Sequence, residues 1–182
     1  MKSFANARNA SRLFTLFVLL CTCGLTQAKS GIETSGDILQ FVLPAGAATL
    51  TLVNRDRDGA FQFAESAAMT LVTTYTLKYT VDETRPNGGS QSFPSGHTSI
   101  SFSAAEYIRK RYGLEWGIPA YALASWVAYS RVESGEHHPH DVIAGASIGI
   151  VSSYLFTKPY KGWQIEFTGD GKFYGFRLTR YF

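Results

Sequence analysis

The sequence contains little cysteine and, once its first residues are set aside, no excess of positive charge. Its two cysteines, Cys21 and Cys23, precede Ala28, so a chain that loses residues 1–28 has no thiol for an internal disulfide. The full chain carries 17 Lys and Arg against 14 Asp and Glu, a formal charge of +3, and three of the basic residues also precede Ala28. The remainder is formally neutral, which argues against a nucleic-acid-binding protein.

Acidic residues are absent from the N-terminal segment, where none precedes Glu33. A basic start and an apolar run over residues 13–25 are typical of a secretory signal peptide, here residues 1–28, and the run is short for a membrane span. We therefore expect an exported, periplasmic protein. An uncleaved membrane anchor is the alternative, and a lipoprotein is less favoured because Thr22 fits poorly before Cys23.

Five helices are predicted in residues 29–160, which predicts an all-α helical bundle with one core. Proline is expected to kink the first helix at Pro44 and to open the fourth near Pro119. In the second helix, apolar residues recur at mixed helical spacing, among them Phe61 and Leu71. The predicted helices cover residues 36–53, 60–79, 97–111, 118–131 and 139–156.

Two of these helices, the first and the fifth, are just long enough to cross a membrane, at about 17–19 residues. The second carries Glu65 and Lys78, and the fourth is short. We therefore expect a soluble or membrane-adhering bundle with peripheral membrane contact, rather than a multi-span protein. Residues 161–182 alternate apolar and polar side chains around Gly169-Asp170-Gly171, which predicts a β-hairpin packed on the helical domain.

Three separated segments carry groups that suit an anionic ligand. Lys78 closes the second predicted helix and Arg85 follows in the next loop, and both side chains bind phosphate oxygens well. Pro94-Ser95-Gly96-His97 begins the third helix, where unpaired amides and the helix dipole form an anion-binding site that Gly96 lets a ligand approach. Taken singly, the first pair has the ordinary explanation of solvated cations, and the second segment that of a serine cap.

The third segment is Ser130-Arg131, followed by His137 and Asp141. A carboxylate one helical turn beyond a histidine accepts a hydrogen bond from one ring nitrogen and leaves the other free to attack. His138 and His140 leave the choice of histidine open on chemistry alone. A metal site built from the four histidines is the competing interpretation, weakened because they come from only two places in the chain.

In this order, Lys-x6-Arg-Pro, Pro-Ser-Gly-His and Ser-Arg-x5-His-x3-Asp resemble the signature of the type 2 phosphatidic acid phosphatase (PAP2) and vanadium haloperoxidase superfamily. The resemblance covers roughly residues 36–156 and implies that superfamily's helical fold. It also selects His137 as the signature histidine, because five residues separate it from Arg131. The signature is complete: Lys78, Arg85, Pro86, Pro94, Ser95, Gly96, His97, Ser130, Arg131, His137 and Asp141.

The resemblance implies a role for each site residue. His137 attacks phosphorus and becomes a phosphohistidine, Asp141 supports its ring, and His97 protonates the leaving oxygen and then activates water. No metal and no cofactor are implied, because three cations take the place of magnesium at the phosphate oxygens. The implied phosphate-binding residues are Lys78, Arg85, Ser95, Gly96 and Arg131.

The function expected is hydrolysis of phosphomonoesters or diphosphates, and an apolar first helix beside a phosphate site favours a lipid phosphate. Phosphatidate, undecaprenyl diphosphate and lipid A phosphate are the substrates that the resemblance suggests. One alternative is a vanadium-dependent haloperoxidase, although those chains are usually much longer. The other is a non-catalytic phosphate-binding envelope protein, which the presence of both histidines disfavours.

A second motif matches the spacing of a calcium-binding EF-hand loop. Residues 54–59 read Asn-Arg-Asp-Arg-Asp-Gly, and Glu65 follows six residues after the glycine. The first position is Asn54 instead of the usual aspartate, and only one such loop is present. A polar turn between the first two helices is therefore the preferred interpretation.

Overall fold

Five α-helices form the body of this computed structural model, which describes residues 28–160, 162–169 and 174–181. The all-α bundle predicted from the sequence is confirmed. The predicted signal peptide lies, apart from Ala28, outside the described residues. The helices are α1 (Ala28–Val53), α2 (Arg57–Thr80), α3 (Gly96–Tyr112), α4 (Leu114–Glu133) and α5 (Pro139–Phe156).

Two short strands follow the helices, β1 (Gly162–Gly169) and β2 (Tyr174–Tyr181). They pair antiparallel, with Gly162 opposite Tyr181 and Gly169 opposite Tyr174. Most of the predicted turn falls in residues 170–173, outside the described residues. The hairpin as a unit, and its packing on the helical domain, therefore stay predictions.

The helix boundaries agree with the predicted ones best where proline or glycine marks them. α5 begins at Pro139 and ends at Phe156, as predicted. The predicted start of α4 at residue 118 is wrong, because the helix begins at Leu114 and Pro119 lies inside it. Gly113, at φ +100°, both ends α3 and precedes α4, so a single residue in the left-handed region makes the whole connection.

Helix α3 lies at the centre of the bundle and contacts the other four helices. Its residues Tyr107 and Ile108 are fully buried. Burial of large apolar side chains is the main favourable term in the free energy of folding, and the surrounding helices bury such side chains against α3. The buried apolar core around it comprises Leu43, Ala47 and Leu50 of α1, Ala104 and Ala105 of α3, and Ala120 and Ala124 of α4.

Helix α2 buries small hydroxyl side chains and exposes apolar ones. Thr70 donates a hydrogen bond to Ser103 of α3 at 3.0 Å, and Thr74 donates to Ser99 at 2.9 Å. The apolar residues that recur at helical spacing point away from the core, and Phe61 is 73% exposed. Helix α2 therefore packs against α3 through hydroxyl groups and leaves these apolar side chains on its outer face.

Close packing of α5 on α3 brings the N-terminal ends of both helices together. Gly145 and Gly149 lie one turn apart on α5, and a Cβ atom on either would fall inside contact distance of the α3 backbone, at Ser95 O and Ser99 O. This approach lets the Ser95 amide donate to the backbone carbonyl of Asp141 at 3.0 Å. Two glycines thus align the two segments that carry signature histidines.

The segment with EF-hand spacing forms the turn between α1 and α2. Asp56 accepts a hydrogen bond from the Gly59 amide at 2.9 Å and forms a buried ion pair with Arg111, at 2.7 Å from Nε. Helix α2 already begins at Arg57, so most of the twelve positions are helical. Asp56 occupies the third position of the motif, where it would be a calcium ligand, but its carboxylate is paired with the guanidinium of Arg111.

One helix in the described part of the chain, α1 from Gly31 to Val53, is long and apolar enough to cross a membrane. A core helix near the N-terminus can meet the same criteria, and 44% of its apolar window is buried in the bundle. The finding is therefore weak evidence of a span by itself.

Candidate active site

Four helix ends meet at one end of the bundle and carry the signature residues. Helices α2 and α4 contribute their C-terminal turns, with Lys78 and Arg131, whereas α3 and α5 contribute their N-terminal turns, with His97 and Asp141. The positive charge of Arg85 acts on both His97 and His137. The structure therefore gathers the three segments at one place, as the sequence predicted.

His137 lies in the loop before α5 and is 3% exposed. Its Nδ1 is 3.4 Å from Asp141 Oδ2, and its amide donates to the Arg131 carbonyl at 3.1 Å. The same carboxylate oxygen accepts from Ser92 Oγ at 2.5 Å and from the His138 amide at 2.9 Å. With Nδ1 facing the carboxylate, Nε2 is the ring nitrogen left for attack.

The electrostatic environment keeps His137 neutral. Burial lowers its pKa to about 4, together with the charges of Lys78 and Arg85, while Asp141 acts in the opposite direction. Burial alone would raise the pKa of Asp141, but the hydrogen bonds from Ser92 and from the His138 amide lower it overall. The pair is thus an uncharged imidazole beside a carboxylate, the protonation states a nitrogen nucleophile needs.

Lys78 and Arg85 lie beside this pair. Lys78 Nζ donates to the Gln91 carbonyl at 2.8 Å, and burial together with Arg85 lowers its pKa to about 8, opposed by Asp141. Arg85 Nη1 forms an ion pair with Glu136 at 2.6 Å. Its Nε is buried and has no hydrogen-bond partner among the described residues. An unpaired guanidinium donor at this position is available to a phosphate oxygen.

Ser95 and Gly96 form the N-terminal end of α3. Ser95 Oγ accepts a hydrogen bond from Thr98 Oγ1 at 3.0 Å and caps the helix at the Thr98 amide. A Cβ atom on Gly96 would lie 3.8 Å from Lys78 Cε, so the first turn of α3 faces that lysine. The described partner of the Ser95 side chain is therefore its own helix, whereas Gly96 faces the side chain of Lys78.

His97 is held by an acidic residue that the sequence did not single out. Its Nε2 lies 3.0 Å from Asp37 Oδ1, and the same oxygen accepts from Arg131 Nη1 at 2.7 Å. Burial lowers the pKa of His97, and Arg131 lowers it further, while Asp37 partly offsets both. Asp37 thus bridges the candidate general acid and a signature cation.

Arg131 is 2% exposed and points toward α1. Besides Asp37, it donates through Nη2 to the Glu33 carbonyl at 2.5 Å and through Nε to Ser130 Oγ at 3.2 Å. α1 can pack this closely because Gly36 has no side chain: a Cβ atom there would lie only 2.7 Å from Arg131 Nη2. The N-terminal half of α1 therefore fixes the arginine at the edge of the site.

The side chains of the two remaining histidines contact residues 83–84, in the loop between α2 and α3. His140 Nε2 is 2.7 Å from Glu83 Oε1, and His138 Nε2 is 3.1 Å from the Thr84 carbonyl. The four histidines form no common cluster. Within the described part of the chain, the group of side chains spaced to hold a metal ion is Glu83, His140 and Asp141.

Comparison with known protein families identifies the family to which the chain belongs. The sequence model of the PAP2 superfamily matches residues 59–164. This match covers more than half of the chain and includes every signature residue. The chain belongs to the PAP2 superfamily. It is a PAP2-type phosphatase, as the signature predicted.

Individual relatives and one crystal structure agree with this membership. The PAP2 phosphatase is 34% identical over 142 residues, 71% of each chain, to lipid A 4'-phosphatase of Helicobacter pylori strain J99. It is 31% identical over 82 residues, 44% of its own chain and 41% of the other, to undecaprenyl-diphosphatase BcrC of Bacillus subtilis strain 168. The crystal structure of Aquifex aeolicus LpxE superposes with a TM-score of 0.63, covering 78% of this chain and 92% of that one at 22% identity, which shows the fold.

Sequence reasoning missed two acidic residues of the PAP2 site, Asp37 and Glu136. Asp37 follows Glu33 by four residues in α1, and no local signal in the sequence distinguished it. Glu136 directly precedes His137. Its carboxylate pairs with Arg85 and accepts a hydrogen bond from Asn87 Nδ2 at 2.9 Å. Each carboxylate neutralises one arginine of the site.

Proposed function

We propose that this phosphatase hydrolyses lipid phosphates through a phosphohistidine formed on His137. The observation that carries the proposal is a buried, neutral imidazole beside Asp141, adjoining the two cations Lys78 and Arg85. In the first step His137 Nε2 bonds to phosphorus, the bond from phosphorus to the leaving oxygen breaks, and His97 protonates that oxygen. In the second step His97 takes a proton from water, which displaces the imidazole and releases inorganic phosphate.

Charge on the transferring phosphoryl group requires compensation by donors that are already in place. We assign this role to Lys78, Arg85 and Arg131, together with the backbone amide of Gly96 and the hydroxyl of Ser95. The free Nε of Arg85 and the position of Gly96 beside Lys78 support the assignment. Arg131 and Ser95 have protein partners, so in this proposal they exchange part of those contacts for phosphate oxygens.

An apolar cleft supports a lipid as the substrate. The cleft has a volume of about 300 Å³ and lies between α1, α2 and α3. Its walls begin about one helical turn beyond the phosphate site, since Phe41 follows Asp37 by four residues and Ile100 follows His97 by three. An acyl chain attached near the phosphate can enter it. The apolar side chains that line it include Phe41, Pro44, Phe63, Ala67, Leu71 and Ile100.

Exposed aromatic side chains support contact with a membrane at the same end of the bundle. Tyr75 and Tyr79 lie on the last turns of α2 and are 51% and 73% exposed, and Trp126 and Tyr129 lie near the end of α4 and are 44% and 49% exposed. Tryptophan and tyrosine favour the boundary between lipid and water. We infer that the exported enzyme contacts a membrane surface with this end of the bundle. The candidate substrates are lipid A and undecaprenyl diphosphate, which the names of its relatives give.

The substrate class is tested with a matched pair of variants at the cleft. Ala67→Trp fills the cleft, whereas Ala64→Trp places the same side chain on the exposed face of α2. With divalent metals chelated, we expect the unmodified enzyme to release phosphate from lipid A and undecaprenyl diphosphate in mixed micelles. Ala67→Trp should lower kcat/KM for the lipid about 10-fold or more relative to a soluble phosphomonoester, because its acyl chain loses apolar contact, and Ala64→Trp should not. Release of phosphate from soluble esters alone would refute the lipid part of the proposal.

Asp37 sets the pH dependence through His97. The proposed reaction needs His137 neutral and His97 protonated, so kcat/KM should peak between about pH 4, the pKa of His137, and the lowered pKa of His97. Asp37 raises the pKa of His97, and Asp37→Asn removes that effect while leaving Arg131 unneutralised. The alkaline limb of the kcat/KM profile should therefore move to lower pH in Asp37→Asn.

The acid limb serves as an internal reference for this measurement, because Asp37 is not among the charges that set the pKa of His137. Asp58→Asn, an exposed aspartate at the opposite end of α2, is the matched control and should leave both limbs in place. An alkaline limb that does not move in Asp37→Asn would show that His97 is not the group that titrates there.

A further inference from the structure

Three metal-binding atoms converge around Oδ1 of Asp141, whereas the contact with His137 is made by Oδ2. They are Glu83 Oε1, His140 Nε2 and Asp141 Oδ1, and all lie within 4.8 Å of one another. The histidine nitrogen is 2.7 Å from the glutamate oxygen and 3.2 Å from the aspartate oxygen. Ligands bound to one Zn²⁺ at about 2.0–2.2 Å have separations of this order.

The unpaired Oδ1 of Asp141 is an independent observation in favour of a metal ion at this cluster. Asp141 is fully buried, and this oxygen accepts no hydrogen bond from any described residue. His140 Nε2 lies 3.2 Å from this oxygen, but its hydrogen bond is with Glu83 Oε1 at 2.7 Å. A buried carboxylate oxygen without a partner is costly, and a cation bound by all three atoms would remove that cost.

We propose that Glu83, His140 and Asp141 bind one divalent transition-metal ion, with Zn²⁺ the best match, and that the bound ion inhibits the phosphatase. One imidazole nitrogen and two carboxylate oxygens suit zinc better than magnesium or calcium, which take oxygen ligands only. Water completes the coordination, because His140 is 58% exposed at its side chain and Glu83 is 29% exposed. The ion therefore reaches the site from solvent.

Inhibition follows from the position of Asp141 between the ion and the nucleophile. Its other oxygen, Oδ2, faces His137 and accepts from Ser92 and the His138 amide. Attack on phosphorus makes the His137 ring cationic, and a metal ion on Oδ1 withdraws the negative charge that supports this cation. kcat should fall while KM changes little, since Glu83 and His140 are not among the proposed phosphate-binding residues. This inhibitory effect rests on the proposed function, whereas binding of the ion does not.

Binding is measured first, on metal-stripped full-length protein with Zn²⁺ alone, by equilibrium dialysis or by the visible spectrum of substituted Co²⁺. One ion per chain is expected. His140→Gln and Glu83→Gln should each weaken binding about 10-fold or more, because even the loss of an outer-shell partner of a metal ligand typically costs about 10–100-fold in affinity. His138→Gln is the matched control, since its Nε2 contacts the Thr84 carbonyl and lies 4.0 Å from Glu83, and it should bind zinc as the unmodified protein does.

Kinetics then decide what the ion does. Zinc should lower kcat of the unmodified enzyme, and the concentration for half-inhibition should rise about 10-fold or more in His140→Gln and Glu83→Gln, with basal activity retained. Equal zinc affinity in all the variants would overturn the site. Binding that these variants weaken, without any change in kcat, would overturn the inhibition. If the protein releases phosphate from no substrate, the proposed function fails, and the dialysis result still decides the site.

Discussion

Replacing His137 by glutamine is expected to lower kcat roughly 10⁴–10⁶-fold, the range seen when a covalent nucleophile is removed. Glutamine keeps a polar side chain of moderate size in this buried position, but its amide nitrogen is not nucleophilic and cannot form a phosphoryl intermediate. The neutral imidazole that burial and the adjacent cations maintain would be gone. Steady-state release of phosphate from a soluble ester and from a lipid phosphate measures the loss.

His138→Gln is the matched control for this substitution. The two histidines are adjacent, yet the side chain of His138 contacts the Thr84 carbonyl, and His138 reaches the Asp141 carboxylate through its backbone amide. Activity within a factor of a few of the unmodified enzyme is expected. If His138→Gln were as inactive as His137→Gln, or if His137→Gln retained substantial turnover with unchanged circular dichroism, the assignment of the nucleophile would be wrong.

Replacing His97 by asparagine is expected to lower kcat about 10²–10⁴-fold for a substrate with an alkoxide leaving group. The size of the loss should depend on the leaving group. A dinitrophenolate leaves without protonation, so formation of the phosphohistidine should be nearly unimpaired with the corresponding aryl phosphate. The second step still lacks the base that activates water. A burst of dinitrophenol followed by slow turnover is therefore expected in rapid-mixing experiments.

The unmodified enzyme, assayed in parallel with the alkyl and the aryl ester, is the reference for the His97→Asn variant. A loss of equal size for both esters, with no burst, would show that His97 acts on binding or folding and not in proton transfer. The ion pair of His97 with Asp37 makes this a fair test, because an asparagine can keep a hydrogen bond to the Asp37 carboxylate.

The sequence predicted the parts of the fold and site that depend on local patterns. Pro139 followed by an apolar run defined α5 to the residue, because proline favours the first turn of a helix. The signature segments could be located because each lies at a helix end, and helix ends carry recognisable residues. The start of α4 was misplaced since Pro119 was read as a first-turn residue, whereas Gly113 makes the connection.

The face of α2 that packs inward could not be predicted from hydrophobic periodicity. Its buried positions hold Ser66, Thr70 and Thr74, which hydrogen-bond to other hydroxyls or carbonyls. Most of its larger apolar side chains, such as Phe61 and Val72, are exposed. A pattern search that places apolar residues in the core assigns this helix the wrong inner face. The chemical reason is that small hydroxyls allow close helix packing and satisfy one another.

Long-range electrostatic partners were also beyond sequence reasoning. Asp37 precedes Arg131 by 94 residues, and Glu136 follows Arg85 by 51. Nothing local distinguishes these carboxylates from solvated ones. Asp37 meets Arg131 only when α1 packs on α4, and Glu136 meets Arg85 only when the loops after α4 and α2 come together. They nevertheless set the charge of the site, since each neutralises an arginine that the proposed reaction uses.

The central claim is that a phosphoryl group is transferred to His137, and direct detection of the intermediate tests it. The His97→Asn variant is mixed with dinitrophenyl phosphate, quenched in alkali, where phosphohistidine is stable, and digested for mass spectrometry. The account predicts one phosphoryl group per chain on the peptide that contains His137, located at that residue by fragmentation and absent from His137→Gln. Phosphorylation of another residue, or product formation at full burst amplitude with no phosphopeptide, would contradict it.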